Sequence, residues 1–220
     1  MTEERMAMST ETKKLLIFDM DGVVLDSEPL HENARQRMFR ELGITPDGRL
    51  PAPVGKSASG FWRNVLEICG MEGDPYGLER RQYALVAQQI EEHHLRPSDG
   101  FEEIVQEAKR AGMKIALASS STRVLVDDAL RLLGVRDYFD VTVSGDEIAR
   151  KKPAPDVYLR VLDLTGTAAR DALAVEDSQA GVASAQEAGI YCYGYSNPTS
   201  GEQDISAADR VISSLRQIEI

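Results

Sequence analysis

The chain has little of what marks several protein classes. It holds only two cysteines, Cys69 and Cys192, far apart and in no C-x-x-C pair. Two lone cysteines make neither a disulfide framework nor a zinc site, and a reducing compartment suits them. No apolar run approaches the roughly 20 residues that crossing a bilayer needs. The leader MTEERMAMSTETKK lacks the apolar segment of a secretory signal. Positive charge is also short: 25 Lys and Arg stand against 36 Asp and Glu, a formal net charge of −11. So acidic a surface repels phosphate backbones and anionic lipid, so neither nucleic acid nor a membrane is an expected partner. The expectation is a soluble, cytoplasmic protein, monomeric because no pattern suggests an extended apolar surface. A length of 220 residues fits one large domain, or one domain with an insertion, and buries a core without crosslinks.

What is present is a repeated pairing of apolar runs with polar ends. Leu15-Leu16-Ile17-Phe18 stops at Asp19-Met20-Asp21-Gly22, and Lys114–Ala118 stops at Ser119-Ser120-Ser121. Ala172–Val175 stops at Glu176-Asp177-Ser178. Short continuous apolar runs bounded by turns are the pattern of strands buried on both faces of a parallel sheet. Weaker strands are expected at Ile190–Tyr193 and Asp209–Ile212. Helical patterns intervene at Phe101–Ala111, Arg123–Leu133, Pro155–Leu164 and Gln179–Ala188, each followed within two residues by a glycine. Arg123–Leu133 carries apolar positions at Val124, Ala129, Leu132 and Leu133. Alternating strands and helices predict an α/β fold, a three-layer α/β/α domain with a parallel sheet. Residues 27–96 break that rhythm with helical patterns alone, Glu28–Leu42, Gly60–Cys69 and Tyr76–His94. They read as an α-helical domain inserted into a core made of 1–26 and 97–220.

In an open α/β sheet the ligand crevice lies beyond the carboxyl ends of the strands, so the polar tails should converge. They supply Asp19, Asp21, Ser119, Glu176 and Asp177, and Lys152 lies in a proline-stiffened loop before another helix. Carboxylates, a hydroxyl and an ammonium at one sheet edge suit a hard cation beside a phosphate. Asp19 and Asp21 sit two apart, so extended backbone points both the same way. Alone, D-x-D-G is equally compatible with an Asx turn of solvated acids, Lys151-Lys152 with a basic surface turn, and Ser119 with a helix N-cap. A helix N-terminus at a strand end is also a phosphate site, so N-capping and phosphate binding are compatible roles for Ser119.

Four segments in this order resemble the signature of the haloacid dehalogenase superfamily, in its phosphatase and β-phosphoglucomutase-like branch with a helical cap. They are Phe18-Asp19-Met20-Asp21-Gly22-Val23, Ala118-Ser119-Ser120, Lys152-Pro153-Ala154-Pro155-Asp156 and Val175-Glu176-Asp177-Ser178-Gln179-Ala180-Gly181. The resemblance implies a Rossmann-like core, with residues 27–96 as the cap. It further implies that Asp19 is a nucleophile forming an aspartyl-phosphate and that Asp21 is the general acid/base. Ser119 and Lys152 would bind the phosphoryl group. Mg²⁺ would be held by Asp19, the Asp21 main-chain carbonyl, Asp177 and Glu176, the last as a direct ligand or through the surrounding shell. The implied substrate is a small phosphorylated metabolite.

Several residues stand outside that set. Val54-Gly55-Lys56-Ser57 copies the end of a P-loop, but lacks its upstream glycine and a preceding strand. Lys56 and His31 are candidates to face the substrate, each with surface exposure as the competing role. The adjacent His93-His94 do not share a helix face, and Phe61 and Trp62 read as packing residues. The resembling mutases carry an arginine where Gly55-Lys56-Ser57-Ala58 has alanine, and a lysine where this chain has Thr122. Both departures favour phosphatase over mutase, although Arg123 or Lys56 could substitute. A catalytically silent binding protein on the same fold is the third expectation.

Overall fold

The computed structural model describes residues 13–50 and 57–220. Six parallel strands form one sheet in the order β3-β2-β1-β4-β5-β6. They are β1 (Leu15–Phe18), β2 (Lys114–Ala118), β3 (Val141–Val143), β4 (Ala172–Glu176), β5 (Tyr191–Tyr195) and β6 (Arg210–Ile212). The helices are α1 (Glu28–Leu42), α2 (Ala58–Cys69), α3 (Pro75–Glu92), α4 (Phe101–Arg110), α5 (Arg123–Leu132), α6 (Asp156–Thr165) and α7 (Gln179–Glu187). The architecture is the expected Rossmann-like α/β/α sandwich.

The period of two along each strand divides the core. Leu16, Phe18, Ile115, Leu117, Leu173 and Val175 join one apolar cluster with α4 and α5. Leu15, Ile17, Ala116, Ala118, Ala172 and Ala174 join a second with α6 and α7. Both faces are covered, which is why the strands read as continuous rather than alternating apolar runs. Each large side chain so buried contributes about 1.5–3 kcal/mol.

Three features differ from expectation. β3 was not foreseen: it has three residues and only one neighbour, β2, so Val-Thr-Val makes no run to recognise. On α5 the inward face is Leu125, Val126, Ala129 and Leu130, whereas Val124 is 71% exposed. The β5 and β6 boundaries move by one or two residues from those expected. Both cysteines are free, and no described helix is long and apolar enough to cross a membrane.

α1, α2 and α3 pack on one another, and α3 also meets α5. Phe61 and Trp62 of α2 pack with Phe39 of α1, as their apolar character predicts. The helical trio therefore stands over the ends of β1 and β2, where the polar tails lie.

Candidate active site

The chain leaves β1 through a tight turn. Val24 N–H and Leu25 N–H both donate to Met20 O at 3.0 Å, and Gly22 N–H donates to Leu25 O at 2.7 Å. Gly22 adopts φ +80°, and a Cβ there would lie 1.9 Å from Asp177 Oδ2. Only glycine serves both demands. The turn sets Asp19 and Asp21 on the floor of a cavity of about 420 Å³, with α1, α2 and α3 above it.

Lys152 ties the floor together. Its ammonium donates to Asp19 Oδ1 at 2.6 Å and to Ala118 O at 2.9 Å, and stands 2.5 Å from Glu176 Oε1. Burial alone would lower the lysine, but the Asp19 and Glu176 charges outweigh it and hold it above its ordinary range. Burial pushes Asp19 well above the usual carboxylate value; Lys152 opposes this, while Glu176, Asp177 and Asp21 add to it. Asp177 is pushed up to about 7, first by burial and then by Glu176, against a hydrogen bond from Ser200. Asp21 goes the other way. Burial would raise it, but His31, Ser121 and Ser27 together hold it below the ordinary value. Ser27 Oγ donates to its Oδ1 and Ser121 Oγ to its Oδ2, both at 2.7 Å. Two buried acids at one site are thus pushed in opposite directions by their surroundings, Asp19 upward by burial and the neighbouring carboxylates and Asp21 downward by its hydrogen-bonding partners.

Asp19, Glu176 and Asp177 each present one oxygen, all within 4.8 Å of one another. Glu176 Oε1 receives Tyr158 Oη–H at 2.5 Å, whereas Oε2 is buried with no hydrogen-bond partner among the described residues. A Cβ on Gly181 would lie 1.8 Å from that oxygen, so the glycine makes room for it. Asp19 and Glu176 contact the Lys152 ammonium, and Asp21 and Asp177 stand beside them in the cavity, which Lys151 and Arg35 also line. An orphaned buried oxygen and uncompensated negative charge fit a hard divalent cation.

The structure thus brings Asp19, Asp21, Lys152, Glu176 and Asp177 together. Ser119 is fully buried beneath them, its Oγ accepting from Ser121 N–H at 3.0 Å, and the cavity wall is formed by Ser120 and Ser121. His31 lines the cavity with Nε2 3.5 Å from Asp21 Oδ1. Arg123 turns elsewhere: its guanidinium donates to Asp127, Glu147, Thr142 Oγ1 and Thr142 O. Lys56 lies outside the described residues. The N-termini of α5 and α7 both open beside the floor, where their dipoles favour an anion.

Sequence reasoning missed two groups. Arg35, 5% exposed on α1, lines the cavity and pairs with Glu28 at 2.5 Å and Glu32 at 2.8 Å. The spacing of Glu28, Glu32 and Arg35 on one helix face was the available signal. The other group is the loop after β5: Ser200 Oγ donates to Asp177 Oδ2, and Asn197 Nδ2 to Gly22 O at 2.9 Å.

A family model described as haloacid dehalogenase-like hydrolase matches residues 16–195, and the chain belongs to that family of hydrolases. Among curated relatives, Protein CbbY of Rhodobacter capsulatus is 33% identical over 212 residues, covering 92% of this chain and 93% of the relative. The phosphorylated carbohydrates phosphatase of Thermotoga maritima is 30% identical over 188 residues, covering 80% and 81%. The crystal structure of CbbY from Rhodobacter sphaeroides in complex with phosphate matches with a TM-score of 0.81 at 27% identity, covering 94% of this chain and 96% of that one.

Proposed function

We propose that this hydrolase releases inorganic phosphate from a small phosphate monoester, of the sugar-phosphate kind, through an aspartyl-phosphate on Asp19. The observation that carries the reading is the placement of Asp19 against Lys152 with Asp21 beside it, at the floor of one cavity. Core residues 1–26 and 97–220 carry the chemistry, and residues 27–96 form the cap that shields it from bulk water. The relatives' names support the phosphatase class and the carbohydrate substrate.

A carboxylate oxygen of Asp19 attacks phosphorus as the ester P–O bond breaks, and Asp21 delivers its proton to the departing alkoxide. Asp21, again a carboxylate, then takes a proton from the water that attacks the acyl phosphate, and Asp19 is regenerated. Splitting one displacement in two lets each step use a nearby group. Lys152 orients Asp19 and neutralises charge on the phosphoryl group. Ser119 holds the turn whose Ser120 and Ser121 border the phosphate, beside the α5 N-terminus. Mg²⁺, held by Asp19, Glu176, Asp177 and the Asp21 carbonyl, would offset the charge that otherwise keeps a carboxylate from a phosphate.

Phosphate release from a panel of sugar phosphates, with and without Mg²⁺, tests this. The mutase alternative is tested by β-glucose 1-phosphate with trace bisphosphate: phosphate release is expected to outrun formation of glucose 6-phosphate, and the reverse order would overturn the assignment. Arg123, the substitute gripping residue, is committed to Asp127 and Glu147, which favours the phosphatase.

Gly22→Ala is expected to displace Asp177 and weaken Mg²⁺ binding about 10–100-fold. Calorimetric titration of the metal checks this; unchanged affinity would mean that Asp177 is not held where the reading needs it.

A further inference from the structure

α1, α2 and α3 each contribute one polar side chain to a single line that ends on Asp21. Trp62 of α2 is fully buried, and its Nε1–H donates to Gln82 Oε1 at 2.7 Å. Gln82 of α3 is 3% exposed, and its Nε2 stands 2.9 Å from His31 Nδ1. His31 of α1 places Nε2 3.5 Å from Asp21 Oδ1. The ring is flanked by Tyr83, edge-on with centroids 6.0 Å apart.

Only one direction of hydrogen bonding satisfies this line. An indole nitrogen can only donate, so the oxygen of Gln82 must face Trp62 and its amide NH₂ must face His31. That NH₂ can likewise only donate, so Nδ1 must accept. A neutral imidazole with Nδ1 accepting carries its proton on Nε2, the nitrogen turned toward Asp21.

We infer that Trp62 and Gln82 are positioning residues that fix the His31 tautomer, so that the imidazole turns its Nε2–H toward Asp21 and has no lone pair there with which to take its proton. The inference rests on reading Asp21 as the acid/base. An imidazole with its lone pair toward Asp21 would be a second proton acceptor beside the carboxylate. It would compete for the proton meant for the leaving group. The locked tautomer removes that competitor, and the Nε2–H stabilises the carboxylate that activates water.

Heteronuclear NMR of the imidazole nitrogens of the full chain, without substrate, reads the tautomer directly. The chain has three histidines, and loss of one signal set in His31→Asn assigns His31. Native protein is expected to show a protonated Nε2 and an unprotonated Nδ1. In Gln82→Glu a carboxylate that only accepts replaces the NH₂, so a proton is expected on Nδ1, with kcat lowered about 10–100-fold. Trp62→Phe keeps the aromatic packing but frees the amide of Gln82 to turn. It is expected to give a mixture of tautomers and a lower kcat at unchanged KM. A native His31 protonated on Nδ1, or a Gln82→Glu spectrum like the native one, would overturn the assignment. Full activity in Gln82→Glu despite a moved proton would overturn the catalytic consequence alone. Because the spectra need no turnover, an inactive protein with the expected tautomer would instead count against the phosphatase reading.

Discussion

Asp19→Asn is expected to abolish phosphate release, by on the order of 10⁴-fold or more, in a protein that remains folded. The amide has the shape of the carboxylate but no charge to attack phosphorus. The fold should tolerate it, because Asp19 is buried among like charges that penalise its ionised form. Lys152 loses one partner but keeps Glu176 at 2.5 Å. Steady-state turnover of p-nitrophenyl phosphate, beside a urea unfolding curve, separates lost chemistry from lost structure. Asp21→Asn should differ in kind. A nitrophenolate leaves without a proton, so the first displacement proceeds, but the water of the second lacks its base. That variant is expected to release one burst of nitrophenol and then stall as the phospho-enzyme. If Asp19→Asn and native protein turn over alike, the nucleophile is another group; if neither releases phosphate, the silent binding protein becomes the better reading.

The contrast between Asp19 and Asp21 also shows what a sequence carries and what it hides. β1, β2 and β4 were legible because both of their faces are buried and each ends in a polar group, and the strand ends of a parallel sheet meet by construction. Hence Asp19, Glu176 and Asp177 could be placed together from their positions alone, with Lys152 joined to them from the proline-stiffened loop before α6. β3 was illegible because an edge strand of three residues, Val141–Val143, needs only its neighbour to define it. Ser200 and Asn197 were illegible for another reason. Their segment, Asn-Pro-Thr-Ser-Gly, is ordinary turn chemistry, and nothing in it says that it folds back on Gly22 and Asp177. The same holds for Trp62 and Gln82, whose sequence pattern records burial but not the hydrogen bond between them. Burial has a period; a hydrogen bond between two helices has none. Ser119 lies between these cases. Its place at the end of β2 was readable, whereas which of three consecutive serines turns toward the cavity depends on the local backbone.

Chelating the metal is expected to cost several kcal/mol of transition-state stabilisation, roughly 10³-fold in rate, and to expose a pH dependence of stability that Mg²⁺ masks. In metal-free protein Asp177 is held at about 7 against an ordinary 3.8, with burial as the first cause, and Asp19 is also raised. A carboxyl raised on folding binds its proton more tightly in the folded chain than in the unfolded one. Its contribution is therefore fully present below the ordinary value and is lost as pH rises through about 7. The carboxylates held low by surface partners, such as Asp99, Asp156 and Asp171, act in the opposite sense. Their contribution is lost only as pH falls below the ordinary carboxylate range, so it does not obscure the neutral window. Metal-free protein should accordingly unfold at lower urea at about pH 8 than at about pH 5. Mg²⁺ takes the place of the proton, so its affinity should rise across the same interval and its addition should remove most of the slope. A metal-free midpoint that climbs between those two pH values would mean that the buried acids are already compensated from within the fold, and the case for a cation at Asp19, Glu176 and Asp177 would fail with it.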